Sequence, residues 1–154
     1  MQRASVISLF CEDIREEKSG QDILIGIMPD NIDMRRLPSA LPKLGIYIRV
    51  NLDVTNQPKS VSAKIQNIDG SETQLQSWDK AVIDKAFADS KSNSMPLVGL
   101  ILKAVIGPFP VTQAGKLVSK VVIDGDEYIG GVINIIGASA TASALPASQS
   151  PGAS

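Results

Sequence analysis

The stretch from Leu44 to Val54 constrains the fold more than any other, because large aliphatic residues alternate along it with other residue types. Successive side chains of a β-strand point to opposite faces, so strict alternation predicts a strand with one face in a core and the other in water. That arrangement is typical of an antiparallel sheet packed over a core. The predicted core residues are Leu44, Ile46, Ile48, Val50, Leu52 and Val54.

Turn-forming residues divide the rest of the chain into further strand-like segments. Asp124-Gly125 has the strongest hairpin signal, because this dipeptide tolerates the positive φ angles of a tight turn. Gly130 and Gly131 interrupt the strand that follows and predict a bulge or the close approach of another backbone. The predicted strands span residues 4–14, 22–29, 44–54, 60–68, 72–77, 97–106, 116–123 and 128–136.

One helix is predicted over residues 79–90, where apolar residues recur at spacings of three and four. Asp79 can cap its start. Its helix propensity is low, so we expect the helix to be held by docking on a sheet edge or a sandwich end, with Trp78 and Phe87 as the largest contacts. Alternatively, the two rings are platforms for a ligand, which makes Trp78 and Phe87 candidate interaction residues as well.

The predicted fold class is mainly β: a single antiparallel β-sandwich, immunoglobulin-like or a related Greek key, with one short helix. The sandwich domain is predicted over residues 1–136. Residues 137–154 carry no charge, no aromatic ring and one large apolar residue, so they are predicted to form a flexible Ala/Ser/Pro tail. A linker or anchoring role is the alternative to a solvated tail.

Composition argues against several classes of partner. The 154 residues include 15 basic and 16 acidic side chains, and the basic ones are scattered, whereas nucleic-acid binding needs a dense basic face. The longest apolar run, residues 97–106, is about half of the ~20 residues that a membrane-spanning helix needs. The first residues lack the pattern of a signal peptide. We therefore expect a soluble, cytoplasmic protein that binds neither nucleic acid nor membranes, with export by a route without such a signal as the alternative.

The residue types most used in catalysis are scarce. The chain has no histidine and a single cysteine, Cys11. Without histidine, the commonest general base and most zinc, copper and iron sites are missing. Cys11 is predicted to be a small buried residue in register with Ile7 and Leu9. No catalytic residue, cofactor or metal site is predicted.

Acidic residues cluster around the first predicted hairpin and again near Asp124, and such oxygen ligands could bind a hard cation. Neither cluster has a calcium-loop spacing, and nearby basic residues favour an ion-paired, solvated surface. Asp13 shares the predicted core face with Cys11, so we expect it to mark the strand end, the alternative being a pair with Arg15 or Arg49. The acidic residues are Glu12, Asp13, Glu16, Glu17, Asp30 and Asp33, then Asp124, Asp126 and Glu127.

Three segments suggest a family: Leu9-Phe-Cys-Glu-Asp-Ile-Arg with its continuation to Met28, Leu41-Pro-Lys-Leu44, and Lys120-Val-Val-Ile-Asp-Gly-Asp-Glu127. They resemble small uncharacterised bacterial proteins that open with a Phe-Cys-acidic-Asp-Ile-Arg strand and close with an Asp-Gly-acidic-Glu hairpin. The resemblance covers residues 5–136 and implies a domain without an assigned activity. The first segment supplies the leading candidate interaction residues, Glu12, Asp13 and Arg15, which are polar positions with little reason to be shaped by packing.

Two classes of function follow from these observations. The first is a non-catalytic binding or structural module, an adaptor or a subunit of a larger assembly such as a phage particle or a secretion device, with a protein partner or self-association through an edge strand. The second is a carboxylate-based or metal-assisted enzyme that uses the acidic cluster at residues 12–17. Carbohydrate binding is disfavoured because the chain has few aromatic rings.

Overall fold

The computed structural model describes residues 4–137, and within them every predicted strand and the predicted helix are present, with ends shifted by at most two residues. Three short strands were not predicted, because segments of three or four residues are too short to show a period of two. The elements are β1 (Ala4–Glu16), β2 (Asp22–Ile27), β3 (Asn31–Met34), β4 (Ser39–Leu41), β5 (Leu44–Asp53), β6 (Val61–Gln66), β7 (Glu72–Trp78), α1 (Lys80–Ser92), β8 (Leu97–Ile106), β9 (Phe109–Val111), β10 (Gly115–Ile123) and β11 (Asp126–Gly137).

The strands form two main sheets and one small ribbon. The first sheet has the order β2-β1-β5-β8, the second has the order β3-β11-β10-β6-β7, and β4 pairs with β9. The predicted mainly β sandwich is confirmed, with the difference that β3 and β11 pair in parallel. The predicted immunoglobulin-like topology stays a prediction. The predicted tail, residues 137–154, lies outside the described residues except for Gly137.

The core lies between the two main sheets, and β5 supplies its centre. The alternation in β5 is confirmed, because its five inward aliphatic side chains, at alternate positions from Leu44 to Leu52, are fully buried. Each such side chain contributes roughly 1.5–3 kcal/mol to folding by leaving water. The second sheet meets them with Val61, Ala63, Ile65, Leu117, Val121, Ile123, Ile133 and Ile135.

The predicted inward face of β1 is wrong. Ile7 pairs with Arg49 on the outer face and is 52% exposed, whereas Ser8 and Phe10 face the core. The segment Val6-Ile7-Ser8-Leu9-Phe10 has apolar residues on both faces, so period-two patterning could not decide between them. Cys11 is buried as predicted, although it lies on the outer face opposite Gly45.

Helix α1 connects two edge strands, β7 of the second sheet and β8 of the first. It is held by Ile83 and Phe87, which are buried in the core together with Trp78. Asp79 occupies the N-cap position, but its side chain makes no capping hydrogen bond, contrary to our expectation. In residues 4–137 no helix has both the length and the apolar character needed to cross a membrane.

Both predictions for the last hairpin are confirmed. Asp124 and Gly125 have φ angles of 49° and 89°, as the tight turn requires. The pairing of β10 with β11 shifts between Ser119 and Lys120, which leaves Gly130 as a bulged residue. A Cβ atom on Gly131 would lie 2.9 Å from the backbone oxygen of Ser8, so another backbone does approach closely, at a seam where β11 meets β1.

Candidate functional site

The hairpin of β1 and β2 folds back over the outer face of the first sheet. Leu9, Tyr47 and Lys103 form one row across that sheet. Glu16 lies seven residues beyond Leu9, which would put it about 23 Å further along a straight strand. Instead, Lys103 Nζ donates hydrogen bonds to Glu16 Oε2 at 2.9 Å and to Asp22 Oδ1 at 2.8 Å. We call residues 12–26 of this hairpin the arm.

The bend into the arm lies where Glu12 faces Gly26. Gly26 has a φ angle of +66°, a conformation that L-residues with side chains rarely adopt, and the Glu12 side chain lies where a Cβ would be. Beyond the bend, the Ile14 side chain covers Gly45. A Cβ on Gly45 would lie 2.7 Å from Cys11 Sγ and 3.3 Å from Ile14 Cγ1, so its absence makes room for both side chains. This cover explains why Cys11, which lies under the arm, is buried.

Lys103 makes the main polar contacts between the arm and the sheet, so Lys103→Met should weaken the packing of the arm on the sheet. We expect amide hydrogen exchange at residues 13–25 to become roughly fivefold faster or more, because both hydrogen bonds are lost together. Exchange in β5 should not change. Lys116→Met is the matched control, because Lys116 is exposed on β10 and has no ion-pair partner among residues 4–137. Unchanged exchange in the arm would show that apolar contacts alone hold it.

A pocket of about 410 Å³ opens between the base of the arm and the segment that leads into β5. Its apolar part includes Met28 and Leu41, which also pack against the core. The β4–β9 ribbon holds Leu41 opposite Phe109 and so fixes one wall. The lining residues are Glu12, Asp13, Arg15, Ile25, Met28, Leu41, Pro42 and Lys43.

Charged groups form the rim of this pocket. Asp13 Oδ2 lies 3.7 Å from both Arg15 Nε and Lys43 Nζ, and Asp13 Oδ1 accepts a hydrogen bond from the Ile14 amide at 3.0 Å. Asp13 lies two residues beyond Cys11, the last buried residue of β1, so it does mark where the strand leaves the core, and it is also paired with Arg15, as the alternative had it. Arg49 is not its partner but donates to Asn51. Lys43 could not be foreseen from spacing, since the turn of the arm brings it close.

The other predicted carboxylates are distributed over separate contacts. Asp124 Oδ1 accepts backbone hydrogen bonds from Lys59 and Ser60 at 2.8 and 2.9 Å. Glu127 lies 3.6 Å from Lys64 and 3.4 Å from Lys120. Within residues 4–137 the structure brings together no group of three or more His, Cys, Asp or Glu that could hold a metal ion.

The other residues that the sequence offered as possible functional residues, Cys11, Trp78 and Phe87, lie in the interior of the protein. Burial raises the pKa of the Cys11 thiol above its ordinary value and outweighs the lowering effect of a hydrogen bond with the Asp13 backbone, so the thiol is protonated at neutral pH. Trp78 and Phe87 are 7% and 1% exposed. We assign both rings to packing and leave them out of the candidate site, whereas Glu12, Asp13 and Arg15 come together at the pocket.

A second pocket of about 390 Å³ lies next to the turn between β6 and β7. Its polar groups are already bonded to one another, since Asn67 Nδ2 donates to Thr73 and Ser71 Oγ donates to Asp69. At the rim of the arm pocket, Arg15 and Lys43 each lie 3.7 Å from Asp13 and keep further N–H donors for a ligand. The arm pocket is therefore the candidate site.

The chain matches the family of unknown function DUF6941 over residues 6–147, and it belongs to that family. This confirms the expected membership in a family without an assigned activity. No curated protein matches the chain, and no solved structure matches it. All the residues that line the arm pocket come from two of the segments that suggested a family, residues 9–28 and 41–44.

Proposed function

We propose that this chain is a non-catalytic binding module, an adaptor or subunit of a larger cytoplasmic assembly, and that it receives a segment of a partner protein at the arm pocket. A phage particle or a secretion device is the type of assembly we propose. The observation that carries this proposal is the pocket itself, which combines an apolar floor with a rim of paired charges.

The chemistry of the pocket suits a peptide segment. Ile25, Met28 and Leu41 offer an apolar surface for one large side chain of the partner, and burying such a side chain supplies binding energy. At the rim, Arg15 and Lys43 can donate hydrogen bonds and Asp13 can accept them, so backbone groups beside that side chain find partners. Fixed polar groups of this kind orient a segment more than they strengthen its binding.

The neighbouring strand offers a second mode of contact to the same segment. Ile25 belongs to β2, an edge strand that pairs only with β1 among the described strands. A partner segment that extends along β2 would gain backbone hydrogen bonds, and every second side chain would point to the same side as Ile25. Backbone pairing would then give affinity, while the pocket selects the side chain.

We expect Ile25→Asp to reduce recovery of the partner about tenfold or more, because it puts an unpaired charge where an apolar side chain docks. The measurement compares proteins retained by immobilised wild-type and variant chains from a lysate of the encoding organism. Ile129→Asp is the matched control, since Ile129 is 64% exposed on β11, away from the pocket. Circular dichroism should show that both variants are folded. Equal recovery with both would refute the pocket as the binding site.

A further inference from the structure

Strand β8 differs from the other three edge strands of the two main sheets. It is ten residues long and pairs with β5 along its whole length without a register shift. No described strand pairs with its other edge. Leu97, Ile101 and Val105 project from its outer face and are 51%, 41% and 43% exposed. A long, regular and apolar edge is the type that pairs with another strand.

The other three edges are shorter, more polar or less regular, so they are less suited to pairing with a second copy of this chain. β7 is polar over most of its length, and its register with β6 shifts between Ala63 and Lys64. β2 is interrupted by Gly26 with its positive φ angle, and β3 has four residues. Natural sheets use polar side chains, bulges and short strands in this way to protect their edges.

A lysine on an edge strand commonly discourages pairing with another strand, and β8 has one lysine, Lys103. Here, however, its ammonium group is bonded to Glu16 and Asp22 of the arm. The side chain is thereby drawn over the sheet, and its charge is matched by two carboxylates. The one charged residue of β8 therefore does not oppose pairing.

We infer that β8 pairs antiparallel with β8 of a second copy of this chain, about a twofold axis that passes through Ile101. In this register every exposed aliphatic side chain lies opposite another one, and Lys103 lies opposite a glycine that leaves room for its stem. The outer-face pairs are Leu97 with Val105, Ile101 with Ile101, and Gly99 with Lys103.

Neighbouring registers fit less well. An axis through Lys103 would pair Ile101 with Val105, but it would leave Leu97 opposite residue 109, beyond the end of β8 at Ile106. An axis through Leu102 would pair Lys103 with Ile101 and Leu97 with Gly107. Only the axis through Ile101 pairs all three exposed aliphatic residues, Leu97, Ile101 and Val105, with one another, and a self-complementary patch is what a twofold dimer requires.

The dimer would join two four-stranded sheets into one continuous sheet of eight strands. Every free backbone group along the β8 edge would then have a partner, and the aliphatic side chains at its centre would be shielded from water. The inference stands apart from the arm pocket, because β2 and β8 are at opposite edges of the first sheet. A partner protein and a second copy could therefore bind at the same time.

Cysteine cross-linking tests this register directly. Cα atoms of directly opposed residues in antiparallel strands are about 4.5–5.5 Å apart, within the range of a disulfide. Ile101→Cys should therefore give a disulfide-linked dimer on mild oxidation. The native Cys11 is buried, so the wild type should give none. Leu97→Cys and Val105→Cys should each give none alone, but a linked dimer when the two variants are mixed.

Light scattering after size-exclusion chromatography supplies the second measurement. The wild-type chain should have twice its monomer mass of 16.3 kDa at about 100 μM, and Ile101→Lys should be a monomer of unchanged circular dichroism. A monomeric wild type would overturn the inference. So would a dimer in which the mixed variants, Leu97→Cys and Val105→Cys, fail to cross-link, because another surface would then hold it.

Discussion

Replacement of Phe87 by alanine is expected to lower the free energy of unfolding by about 3–5 kcal/mol. Phe87 is 1% exposed and is one of the largest fully buried side chains. Helix α1 buries only Phe87 and Ile83, so the substitution removes a large part of what docks the helix and leaves a cavity behind. Urea denaturation followed by circular dichroism would measure the loss.

The matched control for this prediction lies on the same helix. Val82 is 48% exposed, so Val82→Ala should stay within about 0.5 kcal/mol of the wild type. If Phe87→Ala cost no more than Val82→Ala, the ring would not be a core residue. That result would favour the alternative interpretation, in which Phe87 is a platform for a ligand.

Gly130→Ala is expected to lower the free energy of unfolding by about 1–3 kcal/mol. The added Cβ would overlap the Ser8 hydroxyl and would lie 3.1 Å from both Ser119 Oγ and Val6 Cγ1. Ser8 and Val6 belong to β1, so β1 and β11 must separate to admit a methyl group. The same denaturation experiment measures the effect.

The cause of this effect can be isolated by a double-mutant cycle. Ser8→Ala removes the overlapping hydroxyl, which is buried and has no hydrogen-bond partner among residues 4–137, so it should cost little alone and recover part of the loss in the Gly130→Ala background. Gly99→Ala is the control, because its Cβ would make only ordinary van der Waals contacts, with Arg49 Nη2 at 3.5 Å and Asn51 Oδ1 at 3.8 Å as the nearest from these two side chains. A purely additive double mutant would contradict the packing explanation.

The parts of the fold that the sequence predicts are those with a local pattern. The alternation of β5 identifies its buried face, Asp124-Gly125 identifies the last hairpin, and the spacing of Ile83 and Phe87 identifies the docked side of α1. The face of β1 was wrong because Val6 and Phe10 compete there with Ile7 and Leu9. In that strand the choice is made by the neighbouring sheet and by the arm, which local alternation does not report.

The sequence predicts only some of the residues that line the arm pocket. Glu12, Asp13 and Arg15 were selected because they lie in a segment with a family resemblance, and the structure places them at one rim. Lys43 and Leu41 join them because the chain bends where Glu12 faces Gly26. A glycine in a strand pattern indicates irregularity, but it does not tell in which direction the strand turns.

Photo-crosslinking in the encoding organism tests the central claim, that this chain functions by receiving a partner protein at the arm pocket. A benzophenone amino acid replaces Ile25 in one variant and Ile129 in another. We expect a discrete adduct with a different protein from position 25 and none from position 129. Adducts from position 129 alone, or from neither position, would contradict this claim.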